Sequence, residues 1–134
     1  MMQKGTYYIG DLCYVMHGEW NEFCNITIQD NTVLDGEFNL ADGRRFATYG
    51  TAHGDGVYAT NTGARLGVDA GLIGCIRVED ISEEDLPNVG LGTVVEFDAP
   101  FETGEEEGVI LFGHITVDTD PDYEDDYYDE EEYA

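Results

Sequence analysis

Positive charge is what this sequence has least of: five Lys and Arg stand against 30 Asp and Glu, a formal net charge of -25. Docking on a phosphate backbone works by displacing counterions with Lys and Arg, and Lys4, Arg44, Arg45, Arg65 and Arg77 are too few for it. Direct binding to DNA or RNA is therefore not expected, nor is binding to anionic membrane surfaces. Long apolar runs are also missing, since none approaches the roughly 18 to 20 residues of a spanning helix. The stretch from Met1 to Ile9 lacks the apolar core of a secretion signal. A soluble, cytoplasmic protein is the expectation. Cysteine is sparse: Cys13, Cys24 and Cys75 are an odd number at wide spacing, which suits reduced thiols better than a disulfide framework.

What is present is short-period apolar patterning. Apolar residues alternate or run in short bursts between turn residues, and 17 glycines punctuate them, so few long helices can fit. Strands are predicted at Thr6 to Ile9, Leu12 to Met16, Gly36 to Leu40, Arg45 to Thr51, Val57 to Ala59, Leu66 to Asp69, Ile73 to Glu79, Gly92 to Phe97 and Val109 to Val117. They specify an all-β fold, mainly an antiparallel sandwich or half-open barrel. Ala41-Asp42-Gly43-Arg44 predicts a tight hairpin, and Asn61-Thr62-Gly63 a second turn within a meander. Short helices are expected at Glu19 to Cys24, where Trp20, Phe23 and Cys24 share a side, and in one turn after Ser82, with Asp85 in the capping position and Pro87 closing it.

Charge divides the chain in two. Residues 1–117 hold 20 acidic and 5 basic side chains, and residues 118–134 hold 10 acidic and none basic. The first part reads as one compact β domain. The second cannot bury enough apolar area to offset its ordering entropy and is expected to be a disordered acidic tail. Its tyrosines set aromatic rings beside carboxylates, a means of gripping a basic surface.

The segment Tyr7-Tyr8-Ile9-Gly10-Asp11-Leu12-Cys13-Tyr14-Val15-Met16, followed by Glu19-Trp20 and Cys24, resembles a family of small proteins encoded by tailed phages and some bacteria. The likeness extends through Asp42-Gly43-Arg44-Arg45-Phe46, Gly54-Asp55-Gly56-Val57-Tyr58 and Gly67-Val68-Asp69-Ala70-Gly71-Leu72-Ile73-Gly74, covering residues 5 to about 117. That resemblance implies a phage-like setting and host-directed binding, and no mechanism.

Individual polar residues mostly carry structural readings. Asp11 could serve Cys13 as a base, but a carboxylate at a Gly-Asp turn more often caps backbone N–H groups. Cys13, His17 and Cys24 lack the paired spacing of a zinc site, and neither Cys13 nor Cys75 has a local feature that would lower a thiol pKa for chemistry with His17, His53 or His114. Asp69 is expected to need Arg65 or a tyrosine as partner. Asp118, Asp120, Asp122 and Asp129 fall on calcium-loop positions, but Tyr123 stands where that loop requires Gly. No metal, cofactor or catalytic residue is expected.

Two functions follow. The leading one is an acidic protein that inhibits or modulates a basic, nucleic-acid-binding host protein, imitating nucleic acid. Its partner-binding residues would be Glu105, Glu106, Glu107, Asp118, Asp120, Asp122, Tyr123, Asp125, Asp126, Tyr127, Tyr128, Glu130, Glu131 and Tyr133. The alternative is a small-molecule module, or a minor enzyme, built on the glycine-rich loops with Asp11, His53, Asp55 and Asp69.

Overall fold

A computed structural model describes residues 1–120. In chain order these form β1 (Gly5–Gly10), α1 (Trp20–Thr27), β2 (Ile28–Gln29), β3 (Thr32–Val33), β4 (Gly36–Asn39), β5 (Arg45–Gly50), β6 (Gly56–Ala59), β7 (Arg65–Val68), β8 (Leu72–Arg77), β9 (Thr93–Phe97), β10 (Thr103–Glu106), β11 (Val109–Phe112) and β12 (Ile115–Asp118), with short 3-10 turns between. Among the described residues, no helix is long and apolar enough to cross a membrane.

A five-stranded antiparallel sheet, ordered β4-β5-β8-β1-β9, is the centre of the molecule. Side chains alternate across a strand, and here both faces are covered, which is why the middle strands are apolar at nearly every position. One face presents Tyr7, Ile9, Ala47, Tyr49, Ile73, Cys75 and Phe97 to Leu66 and Val68 of β7 and to Ile110, Phe112, Ile115 and Val117 of the β10-β11-β12 sheet. The other presents Tyr8, Phe46, Leu72 and Ile76 to Leu12, Val15, Met16 and Phe23. Each large apolar side chain so buried contributes about 1.5–3 kcal/mol. The expected all-β antiparallel fold is what forms, as a sandwich with a helical third layer and no closed barrel.

The helix forms where Trp20, Phe23 and Thr27 recur on one side. Trp20 stacks on Phe23 at 4.5 Å, and Phe23 on Phe46 at 5.0 Å. Two acids moor it: Glu19 accepts from Arg44 Nη1 at 2.9 Å and Glu22 from the Ala41 N–H at 2.7 Å. Both hairpin expectations hold. Leu40 and Arg44 close the first around Gly43 at φ +99, and Thr60 and Ala64 close the second around Gly63 at φ +92.

Four local expectations are corrected. Leu12 to Met16 is no strand but a 3-10 turn over Leu12–Tyr14, because the Asp11 carboxylate caps it and Leu12, Val15 and Met16 tuck beneath the sheet. Val109 to Val117 is a hairpin, folded at Gly113 with φ +60. The meander is interrupted: β5 pairs directly with β8, and the β6-β7 hairpin is an excursion between them. Glutamate-rich β10 was not expected as a strand at all, and pairs with β11.

Pairing of β8 with β5, with Leu12 packed against it, leaves no room at Gly74. A Cβ there would lie 2.2 Å from the Ala47 carbonyl oxygen and 2.7 Å from Leu12 Cδ1. Overpacking of this kind costs roughly 1–3 kcal/mol, more against backbone. Gly74→Ala is expected to lower Tm by on the order of 10 °C, whereas Gly90→Ala, with nothing within 4 Å of its Cβ, should leave the calorimetric Tm unchanged.

Candidate functional site

Strand alternation builds an acidic groove on the outer face of the β10-β11-β12 sheet. Ile110 and Phe112 point into the core, so Val109 and Leu111 face outward. Register sets Glu106 and Asp118 on either side of Val109, and Gly104 and Thr116 on either side of Leu111. Glu105, Glu107 and Asp120 complete the wall of an open concavity of about 600 Å³. The floor is apolar, with Leu111 37% exposed, and the rim is anionic. Such a surface accommodates a Lys or Arg side chain, its stem over Val109 and Leu111 and its head among carboxylates.

The carboxylates are held in place by turn geometry. Glu107 and Gly108 both have positive φ, +52 and +87, forming a two-residue hairpin turn. Glu105 accepts from the Gly108 N–H at 2.8 Å, and Asp118 from the Asp120 N–H at 3.0 Å. Asn61 stiffens β12 from its far side, bonding the His114 carbonyl and the Thr116 N–H. Beyond β12, Thr119 is fully buried and donates to the Gly108 carbonyl while accepting from the Ala52 N–H. His53 Nε2 lies 2.8 Å from Asp120 Oδ1. Thr119 and Asp120, assigned to the acidic segment on charge alone, thus make contacts to Gly108, Ala52 and His53.

Of the expected partner-binding set, the structure therefore brings together Glu105, Glu106, Glu107, Asp118 and Asp120. Asp122, Tyr123, Asp125, Asp126, Tyr127, Tyr128, Glu130, Glu131 and Tyr133 lie outside the described residues, immediately following Asp120 in sequence. Sequence reasoning missed Val109 and Leu111. Their signal was the alternation of β11, hidden because its inward and outward residues are all apolar.

The second expected set resolves into structural roles. Asp11 is fully buried and accepts three backbone N–H bonds, from Cys13 at 2.9 Å, Asp69 at 2.7 Å and Ala70 at 2.6 Å. It ties the β1 turn to the β7-β8 connection. Asp69 is exposed, not buried, and takes the tyrosine partner foreseen for it: Tyr14 Oη donates at 2.8 Å. Asp55 is exposed beside Gly54. Burial first, and then the Asp11 carboxylate, push the Cys13 thiol up to about 12; burial raises Cys75 as well. Neither is a poised nucleophile. Ser82 and His17 both bond the buried Asp85, at 3.2 and 3.0 Å, which pins the chain before α1 to the turn after Ser82. No group of three or more His, Cys, Asp or Glu among the described residues has metal-binding geometry.

No family model matches the chain, and no curated protein and no solved structure matches it either.

Asp11→Asn leaves one oxygen for three donors and is expected to cost about 2–4 kcal/mol; Asp55→Asn should stay within about 0.5 kcal/mol in the same denaturant titration. At pH 8 the Cys13 thiolate fraction is on the order of 10⁻⁴, so iodoacetamide should label Cys13 only after unfolding. Labelling of the native protein at the rate of a free thiol, read by mass spectrometry, would contradict that.

Proposed function

We propose that this chain is an acidic binding protein that engages a basic surface of a host protein, in the manner of a nucleic-acid mimic. The observation that carries the reading is the groove: five carboxylates drawn from β10, the turn after it, β12 and the segment after β12 surround one apolar floor. A field of that sign steers a cationic partner into fast association. A floor of Val109 and Leu111 adds contact that salt does not screen. The partner class that fits is a protein whose own groove is lined with Lys and Arg to receive phosphates, and the phage-like resemblance favours a host-cell cytoplasmic target. Residues 122–133, outside the described residues, add eight Asp and Glu and four Tyr in sequence directly after Asp120 and Pro121. The small-molecule alternative is less well supported, because one of its four residues, Asp11, is committed to three backbone N–H groups and another, Asp69, to Tyr14.

Capture from bacterial lysate tests the reading. Full-length protein should retain a specific nucleic-acid-binding protein at about 50 mM salt and release it at about 0.5 M, since surface charge pairing is screened over a Debye length. A Glu106→Lys, Asp118→Lys variant should retain at least roughly tenfold less, the equivalent of about 1.4 kcal/mol. Retention that ignores both salt and the charge reversal overturns the proposal.

A further inference from the structure

The two edges of the central sheet are finished differently. At β4 the edge is guarded: the strand begins at Gly36 with φ +142, and the Glu37 carboxylate is occupied by Arg45 and by the Thr103 hydroxyl of β10. At β9 it is open. In an antiparallel ladder every second residue turns its N–H and C=O away from its neighbour, and among the described residues no backbone group from Thr93 to Phe97 bonds beyond the β1 ladder. Edges are commonly blunted by Lys, Pro or a bulge. Thr93-Val94-Val95-Glu96-Phe97 contains neither Lys nor Pro, and it pairs with β1 at every residue without a bulge. Its side chains are sorted by face: Val94 lies opposite Tyr8 and Glu96 opposite Thr6, so both are on the face that carries Tyr8, at a margin the Leu12, Val15, Met16 and Phe23 layer leaves uncovered. Val94 is 47% exposed, and Glu96 and Thr6 are exposed beside it. Past Phe97 the edge opens into a hollow of about 330 Å³ lined by Asp98 and Pro100, with the stacked rings of Phe97 and Phe101 in its wall. Among the described residues neither Glu96 nor Asp98 has an ion pair, and Lys4, just before the Gly5 that pairs with Phe97, forms none.

We propose that β9 accepts an extended, basic segment of another protein as a further strand of the five-stranded sheet. In strand addition, backbone hydrogen bonds along the free edge supply affinity and alternate side chains select the ligand. Directly opposed pairs on one face set that selection. One residue of the added segment is apolar and covers Val94; the residue two positions away is Lys or Arg and meets Glu96 in a charge-assisted hydrogen bond. A further cation finds Asp98 at the mouth of the hollow. A second copy of this chain does not fit the edge. It would bring another net charge of -25, with another Glu96 and Asp98, to the same ladder, where like charges are destabilising. This surface is separate from the acidic groove, takes a single extended strand rather than a folded basic face, and does not depend on the partner proposed above.

The probe is the synthetic peptide acetyl-Thr-Lys-Thr-Val-Thr-Lys-Thr-amide, symmetric about its Val so that either strand direction presents the apolar and basic pair. Added to the ¹⁵N-labelled full-length protein at about 50 mM salt, it should shift the amides of residues 93–97 and slow their hydrogen exchange, saturating by about 1 mM. Glu96→Lys, at an exposed position, should weaken binding at least roughly tenfold. The same peptide with Pro on both sides of its Val keeps the charge but loses the N–H groups that pair with an edge, and should leave residues 93–97 unshifted. Equal binding of the proline peptide overturns the proposal, as does the absence of any shift at about 1 mM. Shifts confined to residues 104–111 and 116–120 overturn it by assigning the peptide to the groove. Dilution-dependent shifts at residues 93–97 without peptide overturn it by giving the edge to a second copy.

Discussion

Burial of both faces of β1, β5 and β8 is the constraint from which the rest of the molecule follows. A strand covered on one side can be polar on the other, but Tyr7, Tyr8 and Ile9, or Ile73, Cys75 and Ile76, leave no polar side. Each face therefore needs its own cover. The Leu12, Val15, Met16 and Phe23 layer supplies one, and β7 with the β10-β11-β12 sheet supplies the other. Asp11 ties these layers together, because its carboxylate reaches from the turn after β1 to the backbone between β7 and β8.

The groove is a by-product of that covering. Once Ile110, Phe112, Ile115 and Val117 are committed inward, strict alternation sends Val109, Leu111 and Asp118 outward beside Glu106. The rim is acidic because the sequence is acidic there, and it is shaped because the Gly108 N–H holds Glu105, the Asp120 N–H holds Asp118 and His53 meets Asp120. Cations are kept away: Arg44 is held by Glu19 and Asp42, and Arg45 by Glu37. Burial tends to raise the Glu37 pKa, but hydrogen bonds from the chain's first ammonium, Thr103 and Arg45 outweigh it and hold the carboxyl below its usual value. An acid so depressed stabilises the fold above the ordinary glutamate range and loses that contribution as pH falls through its folded value.

Sequence made the fold class legible through alternation and turn chemistry. Asp42-Gly43 and Asn61-Thr62-Gly63 announced their hairpins because positive φ at glycine is a local requirement that tertiary structure cannot waive. The turn at Leu12 read as a strand because its apolar residues serve a layer beneath the sheet, a fact no local period encodes. The turn at Gly113 was lost inside a continuous apolar run. For the site, the acidic residues 105–107, 118 and 120 were legible as charge, but their convergence depends on β10, whose Gly-Glu-Glu composition opposes strand propensity and is overridden by pairing with β11. The distance between His53 and Asp120, 67 residues apart, was not readable at all.

Competition with nucleic acid bears most directly on the central claim. A fluorescently labelled DNA duplex would be bound to a nucleic-acid-binding protein captured in the lysate experiment, and its anisotropy followed as the chain is added at about 0.1 M salt. Mimicry predicts complete displacement of the duplex, weakening as salt rises; a ternary complex in which the duplex stays bound at saturation would contradict it.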